Sequence, residues 1–198
     1  LEMNQGTLQL NNDYVFHDEG MFQATIYGNG SNGQFLVNGT ASLNGQMSVT
    51  RGQGAFLDGT TFEVLTATDG FSQDTAFDDI VLPDARPLLS FQLQQTEETM
   101  IVQADVESFT TVATTGNAEA VASHLDAILP TVTGELSYIL GEVQVLSEQQ
   151  EFSDAFYSLS PAAYQQYSLA SVASGQQYTH SLNARMSDLH FTEMAKAK

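Results

Sequence analysis

The stretch FLVNGTASLNGQMSV, residues 35–49, holds two Asn-Gly pairs six residues apart. Asn-Gly between alternating apolar residues is a strong hairpin signal, yet the apolar arms are only Phe35 and Val37, Ala41 and Leu43, then Met47 and Val49. Strands in globular sheets usually run ~5–6 residues, so arms this short leave a hairpin almost no ladder. The spacing reads instead as a hexad, with Phe35, Ala41 and Met47 in one column and Val37, Leu43 and Val49 in the other. Three short faces separated by corners make one coil of a triangular solenoid, each face pairing with the coil above and below. Asn and Gly then occupy corners where the backbone needs positive φ. This reading predicts parallel short strands over residues 6 to about 87, with those six residues inward.

Outward from the hexads, GTLQL, YVFH, MFQATIY and TFEVLTA continue as short apolar alternations divided by Gly, Asn and Asp. Irregular flanks and corner loops such as GNGSNG (28–33) favour a right-handed coil over the strict hexads of a left-handed one. After the acidic loop DGFSQDTAFDDIVLPDARP, the segment LLSFQLQQTEETMIVQADV (88–106) has arms long enough for an antiparallel hairpin around QTEE. A solenoid end exposes an apolar cross-section that needs covering, and Leu89, Phe91, Leu93, Val102 and Val106 are the residues expected to form that lid. The fold class expected is mainly β: right-handed parallel β-helix coils with a C-terminal antiparallel hairpin cap, followed by α-helices.

The period changes after about Thr115. Asn117 is read as the cap of a helix carrying Val121, Leu125, Ile128 and Leu129, ended by Pro130. A second helix shows Leu136, Ile139, Leu140, Val143 and Leu146, and a third starts at a Ser147/Gln150 capping box with Phe152, Phe156 and Leu159 inward. Ser160-Pro161 begins a fourth that runs to about residue 193. The division expected is 1–109 for the β part with its hairpin and 110–198 for a helical linker region.

Composition excludes several partners. Of 198 residues, 24 are acidic and five basic, a formal net charge of −19. Arg51, Arg86, Arg185, Lys196 and Lys198 are too few and scattered to displace counterions from phosphates, so nucleic acid and anionic membranes are not expected partners. Cysteine is absent, which removes disulfides and thiolate chemistry. No run of 18 apolar residues suits a membrane-spanning helix, and LEMNQGTLQL has no signal-peptide pattern, so an exported protein would hold this chain as an internal piece.

GTLQL, FLVNGTASLNGQMSV, GTTFEVLTA and LLSFQLQQTEETMIVQADV, in that order, resemble the C-terminal end of the passenger of pertactin-like bacterial autotransporters, the type V secreted proteins. NAEAVASHLDAIL through LSPAAYQQYSLASVASGQQYTHSLNARM is similar to the linker joining such passengers to their outer-membrane barrel. The resemblance covers roughly residues 6 to 190 and rests on pattern and order. It implies an autochaperone: a non-catalytic segment that templates folding of the passenger at the surface of a Gram-negative cell and links it to the barrel. It implies as partners the protein's own upstream coils and the downstream barrel, both outside this chain, with host-surface or glycan contact left open. No catalytic, cofactor or metal residues are carried over. Independently, absence of disulfides and strong like charge suit secretion of an unfolded chain through a narrow pore.

Sharper chemical readings are weak. Asp69, Asp74, Asp78, Asp79 and Asp84 supply oxygen ligands of the kind Ca²⁺ takes, but their spacing matches neither an EF-hand nor the nonapeptide repeat, which favours a solvated acidic loop. His17, His124, His180 and His190 show no zinc spacing, and no GxSxG elbow appears. Tyr164, Tyr167 and Tyr178 suit helix packing better than a sugar-stacking strip. The alternatives are a polysaccharide-acting β-helix enzyme of the pectate lyase type, which needs a cation to stabilise an oxyanion where only Arg51 and Arg86 lie in the β part, and an adhesin or fibre binding module.

Overall fold

Around the hexads, the computed structural model describes residues 1–73, 75–161, 174, 176–181 and 185. Phe35, Val37, Ala41, Leu43, Met47 and Val49 are all buried, none more than 2% exposed. Phe35 and Val37 lie on β5 (Gly33–Val37), Ala41 on β6 (Ala41–Ser42), and Met47 and Val49 on β7 (Gln46–Arg51), while Leu43 lies in the connection after β6. These strands do not pair with one another; each belongs to a different sheet. β5 lies parallel between β2 (Gly6–Leu10) and β8 (Thr61–Ala67), with Leu8 opposite Phe35 and Phe35 opposite Leu65. β6 pairs parallel with β3 (Tyr14–Val15). β7 lies parallel between β4 (Met21–Ile26) and β9 (Asp79–Val81), and β1 (Glu2–Met3) completes that sheet beside β4.

Corner side chains tie successive turns together. Asn38 Nδ2 donates to Asn11 Oδ1 at 2.7 Å, Asn44 Nδ2 to the Phe16 carbonyl at 2.9 Å, and the Ser42 and Ser72 hydroxyls bond at 2.8 Å. Gly45 has the positive φ, 71°, that its corner requires, and a Cβ there would lie 2.4 Å from the carbonyl oxygens of His17 and Gly20. Inside, Tyr14, Phe16, Phe22, Phe35 and Phe77 form one aromatic cluster, with edge-on pairs such as Tyr14–Phe16 at 4.8 Å and Phe16–Phe77 at 5.1 Å between ring centroids.

The fold class is corrected by two features. β10 (Leu89–Gln95) and β11 (Thr99–Val106) do form an antiparallel hairpin, but β11 also pairs antiparallel with β8, with Val102 opposite Phe62. The hairpin is therefore the edge of a mixed five-stranded sheet, ordered β10-β11-β8-β5-β2, and not a separate cap. Leu89, Phe91 and Val102 are buried in the common core, while Leu93 and Val106 pack half-buried at its margin. Second, helices follow the sheets and one of them bonds to a loop between strands. α1 (Gly116–Ile128), α2 (Glu135–Gln144) and α3 (Gln149–Leu159) follow, with two 3₁₀ turns. The Phe56 amide and carbonyl bond to the Gln144 side chain of α2. The architecture of the described residues is mixed α/β, in three sheets of four, five and two strands with helices, and the expectation of a mainly β right-handed parallel β-helix does not stand. Hexad alternation specifies which side chains turn inward; it does not specify what fills the remaining backbone partners.

Helix ends also differ in detail. Thr115, not Asn117, caps α1, its hydroxyl accepting from the Ala118 N–H at 3.3 Å. At the start of α3 the partner is Glu151 rather than Gln150: its Oε2 accepts from the Ser147 and Glu148 amides, both at 3.0 Å. Those amides, Ser147 first, hold the Glu151 carboxyl below its ordinary value. The chain divides into two units, Leu1–Ala155 and Phe156–Lys198. In the second, residues 176–181 are helical and Tyr178 is exposed. Most of the fourth helix expected after Ser160-Pro161, including Tyr164, Tyr167, Met186 and Leu189, lies outside the described residues.

Candidate functional site: open sheet edges and a neutral groove

Residues 2–15 occupy a singular position. β1, β2 and β3 are the terminal strands of the four-, five- and two-stranded sheets respectively, so one short segment leaves an open edge in every sheet. A terminal strand presents unpaired N–H and C=O groups, a template for another strand. The inner flank of this segment is fixed by side chains: Thr7 Oγ1 donates to Gln34 Oε1 at 3.1 Å, and Asp13 Oδ1 accepts from the Thr40 N–H at 2.8 Å. The segment also carries exposed apolar residues, Leu8 at 43% and Val15 at 50%.

The second feature is a groove of about 700 Å³ where three distant segments meet: the corner after β4, the loop between β7 and β8, and the connection from α1 to α2. Glycines allow the walls to close. A Cβ on Gly28 would lie 2.3 Å from the Gly54 carbonyl carbon, and one on Gly141 would lie 2.4 Å from the Gly54 oxygen. α2 is held on the 53–56 loop by Gln144, whose Oε1 accepts from Phe56 N–H and whose Nε2 donates to Phe56 O, each at 2.8 Å, with both residues wholly buried. Ser137 Oγ adds a bond from the Ala55 N–H at 3.2 Å. Tyr27 and Tyr138 line the groove together with the amides of Gln5, Asn29 and Gln53 and the hydroxyls of Thr60 and Thr133. No acidic or basic side chain lines it.

The residues singled out from sequence do not converge. Asp78 is structural: its Oδ2 accepts from the Gly45 N–H at 3.0 Å and its own N–H donates to Gly45 O at 2.7 Å. Asp84 pairs with Arg86 at 3.5 Å, and Asp69 and Asp79 are exposed. Asp74 lies outside the described residues, among which no three His, Asp or Glu side chains gather as a metal site. His17, His124 and His180 are exposed, and His190 lies outside the described residues. Arg51 bonds to Glu142 at 3.0 Å; with Arg86 it borders a hollow of about 270 Å³ that also contains Asp84. The groove is not legible in the sequence, because its lining is spread from Gln5 to Tyr138 and rich in Gly, Gln and Thr. No helix among the described residues is long and apolar enough to cross a membrane. No protein-family model and no curated protein matches the chain.

Proposed function

We propose that this chain is a non-catalytic folding and display segment of a surface protein exported by the type V route, a stable block against which preceding passenger segments order themselves and which joins them to an outer-membrane barrel. The observation that carries the reading is that residues 2–15 form the open edge of all three sheets at once. A chain arriving at such an edge gains main-chain hydrogen bonds in each sheet without nucleating a sheet of its own. Parallel pairing is otherwise slow to begin, because loop-closure entropy precedes the contacts that reward it. The buried cluster around Phe16, Phe22, Phe35 and Phe77, which lies directly behind that edge, gives the block its own core. A net charge of −19 and the absence of cysteine suit a chain that must cross a pore unfolded.

The test is refolding in the natural open reading frame. Passenger residues preceding this chain are refolded from denaturant with this segment attached and without it. The reading predicts faster refolding with the intact segment; equal rates in both would eliminate the templating role.

A further inference from the structure

We infer that the groove between the 27–30 corner, the 53–60 loop and the 129–138 connection is a binding site for a neutral oligosaccharide. Its volume, about 700 Å³, falls within the range of roughly 300–1,000 Å³ typical of ligand sites. Its chemistry is selective by omission. The chain has 24 acidic and five basic residues, yet none of them lines this surface. Without a cation the groove offers nothing to a phosphate or carboxylate, and the surrounding negative charge repels both. Without a carboxylate it has no counter-charge for a bound cation.

What remains suits a polyol. The Gln53 amide carries a donor and an acceptor, the pair that adjacent sugar hydroxyls need, and Asn29 adds a donor. Asn29 Oδ1 is taken by the Ser31 N–H at 3.0 Å and the Ser31 hydroxyl at 2.6 Å, which fixes the side chain and leaves its NH₂ without a partner among the described residues. Two tyrosines provide faces for the C–H side of a pyranose. The Tyr27 ring rests on Gly52, where a Cβ would lie 2.3 Å from its Cδ1, so the ring is held in place from behind. Tyr138 projects from α2 and is 51% exposed. Neither ring packs on another aromatic among the described residues. The walls are preformed, since Gly28, Gly54 and Gly141 are in backbone contact and Gln144 anchors α2 behind them. A preformed site loses little freedom on binding.

The experiment uses the full chain with cellohexaose, maltohexaose and chitohexaose as probes, and an oligogalacturonate of similar length as the anionic counterpart, by saturation-transfer NMR and titration calorimetry. At least one neutral probe is expected to bind with a Kd of millimolar order or tighter, and the galacturonate is expected not to bind. Tyr138→Ala should weaken binding about tenfold, the effect of one lost stacking face, and Gln53→Ala should weaken it as well. Both side chains are exposed, so thermal melting should be unchanged; if Tyr138→Ala does shift the melt, Gln53→Ala alone decides. Absence of binding by all three neutral probes at about 10 mM, or binding that neither substitution weakens, overturns the proposal.

Discussion

Replacing Gln144 by Ala removes the amide that joins α2 to the strands. Gln144 and Phe56 are both wholly buried, and the two hydrogen bonds between them are each 2.8 Å long. The substitution leaves the Phe56 N–H and C=O without partners in a place water does not reach. Each orphaned group costs about 1–3 kcal/mol, so the two together cost about 2–6, and the void left by the side chain adds to this. Against a typical total of about 5–15 kcal/mol for a domain, a loss of about 3–5 kcal/mol is expected in urea melts. Gln144→Glu refines the test. As a neutral acid it can donate its O–H to Phe56 O and accept from Phe56 N–H; ionised, it can only accept, and burial raises its pKa. The folded variant then holds a proton that the unfolded chain releases above about pH 4.3. Its stability relative to wild type should therefore be near normal in acid and fall as pH rises through and beyond that value. A loss below about 1 kcal/mol for Gln144→Ala, or a pH-independent difference for Gln144→Glu, would refute the anchoring role.

Other substitutions probe the same packing. Gly141→Ala places a Cβ 2.4 Å from the Gly54 carbonyl oxygen, a backbone atom that cannot swing aside, so α2 must shift and the melt should drop markedly; an unchanged melting temperature would show that the helix seat is loose. Phe91, 8% exposed and edge-on to Phe56 at 5.3 Å, should cost about 3–5 kcal/mol on change to Ala, measured by denaturant unfolding. Glu151, with its pKa lowered by the Ser147 and Glu148 amides, stabilises the fold above the ordinary carboxylate range, and that contribution is lost as pH falls through its folded value. Carboxyl-carbon NMR titration should place Glu151 below 4.5, and a midpoint at or above that value would contradict the cap.

Much of the interior was legible because strand alternation is a local property. Phe35, Val37, Ala41, Leu43, Met47 and Val49 could be assigned inward from their spacing, and all are buried. The hairpin at 88–106 was equally readable, since its arms and turn are contiguous; its pairing with β8 was not, because nothing in the sequence states the partner of a distant edge. α2 shows why helix faces mislead. The apolar spacing turns Leu136 and Ile139 inward, yet they are 38% and 45% exposed, whereas Gly141 and Gln144 are buried. Gly141 is inward because it lacks a side chain, and Gln144 because its amide matches a backbone pair. A hydrophobic count assigns both to solvent. The same blindness hides the groove, whose walls depend on the close approach of Gly28, Gly54 and Gly141, residues far apart in the chain.

Amide hydrogen exchange reads the open edge at residues 2–15 strand by strand. In the chain alone, amides of residues 6–10 that are not engaged by β5 should exchange within the fastest class, while β4, β5, β7 and β8 remain protected. With passenger residues attached ahead of Leu1, these edge amides should become protected as that upstream segment folds. Edge amides that stay fast while the upstream segment folds at an unchanged rate would contradict the templating role.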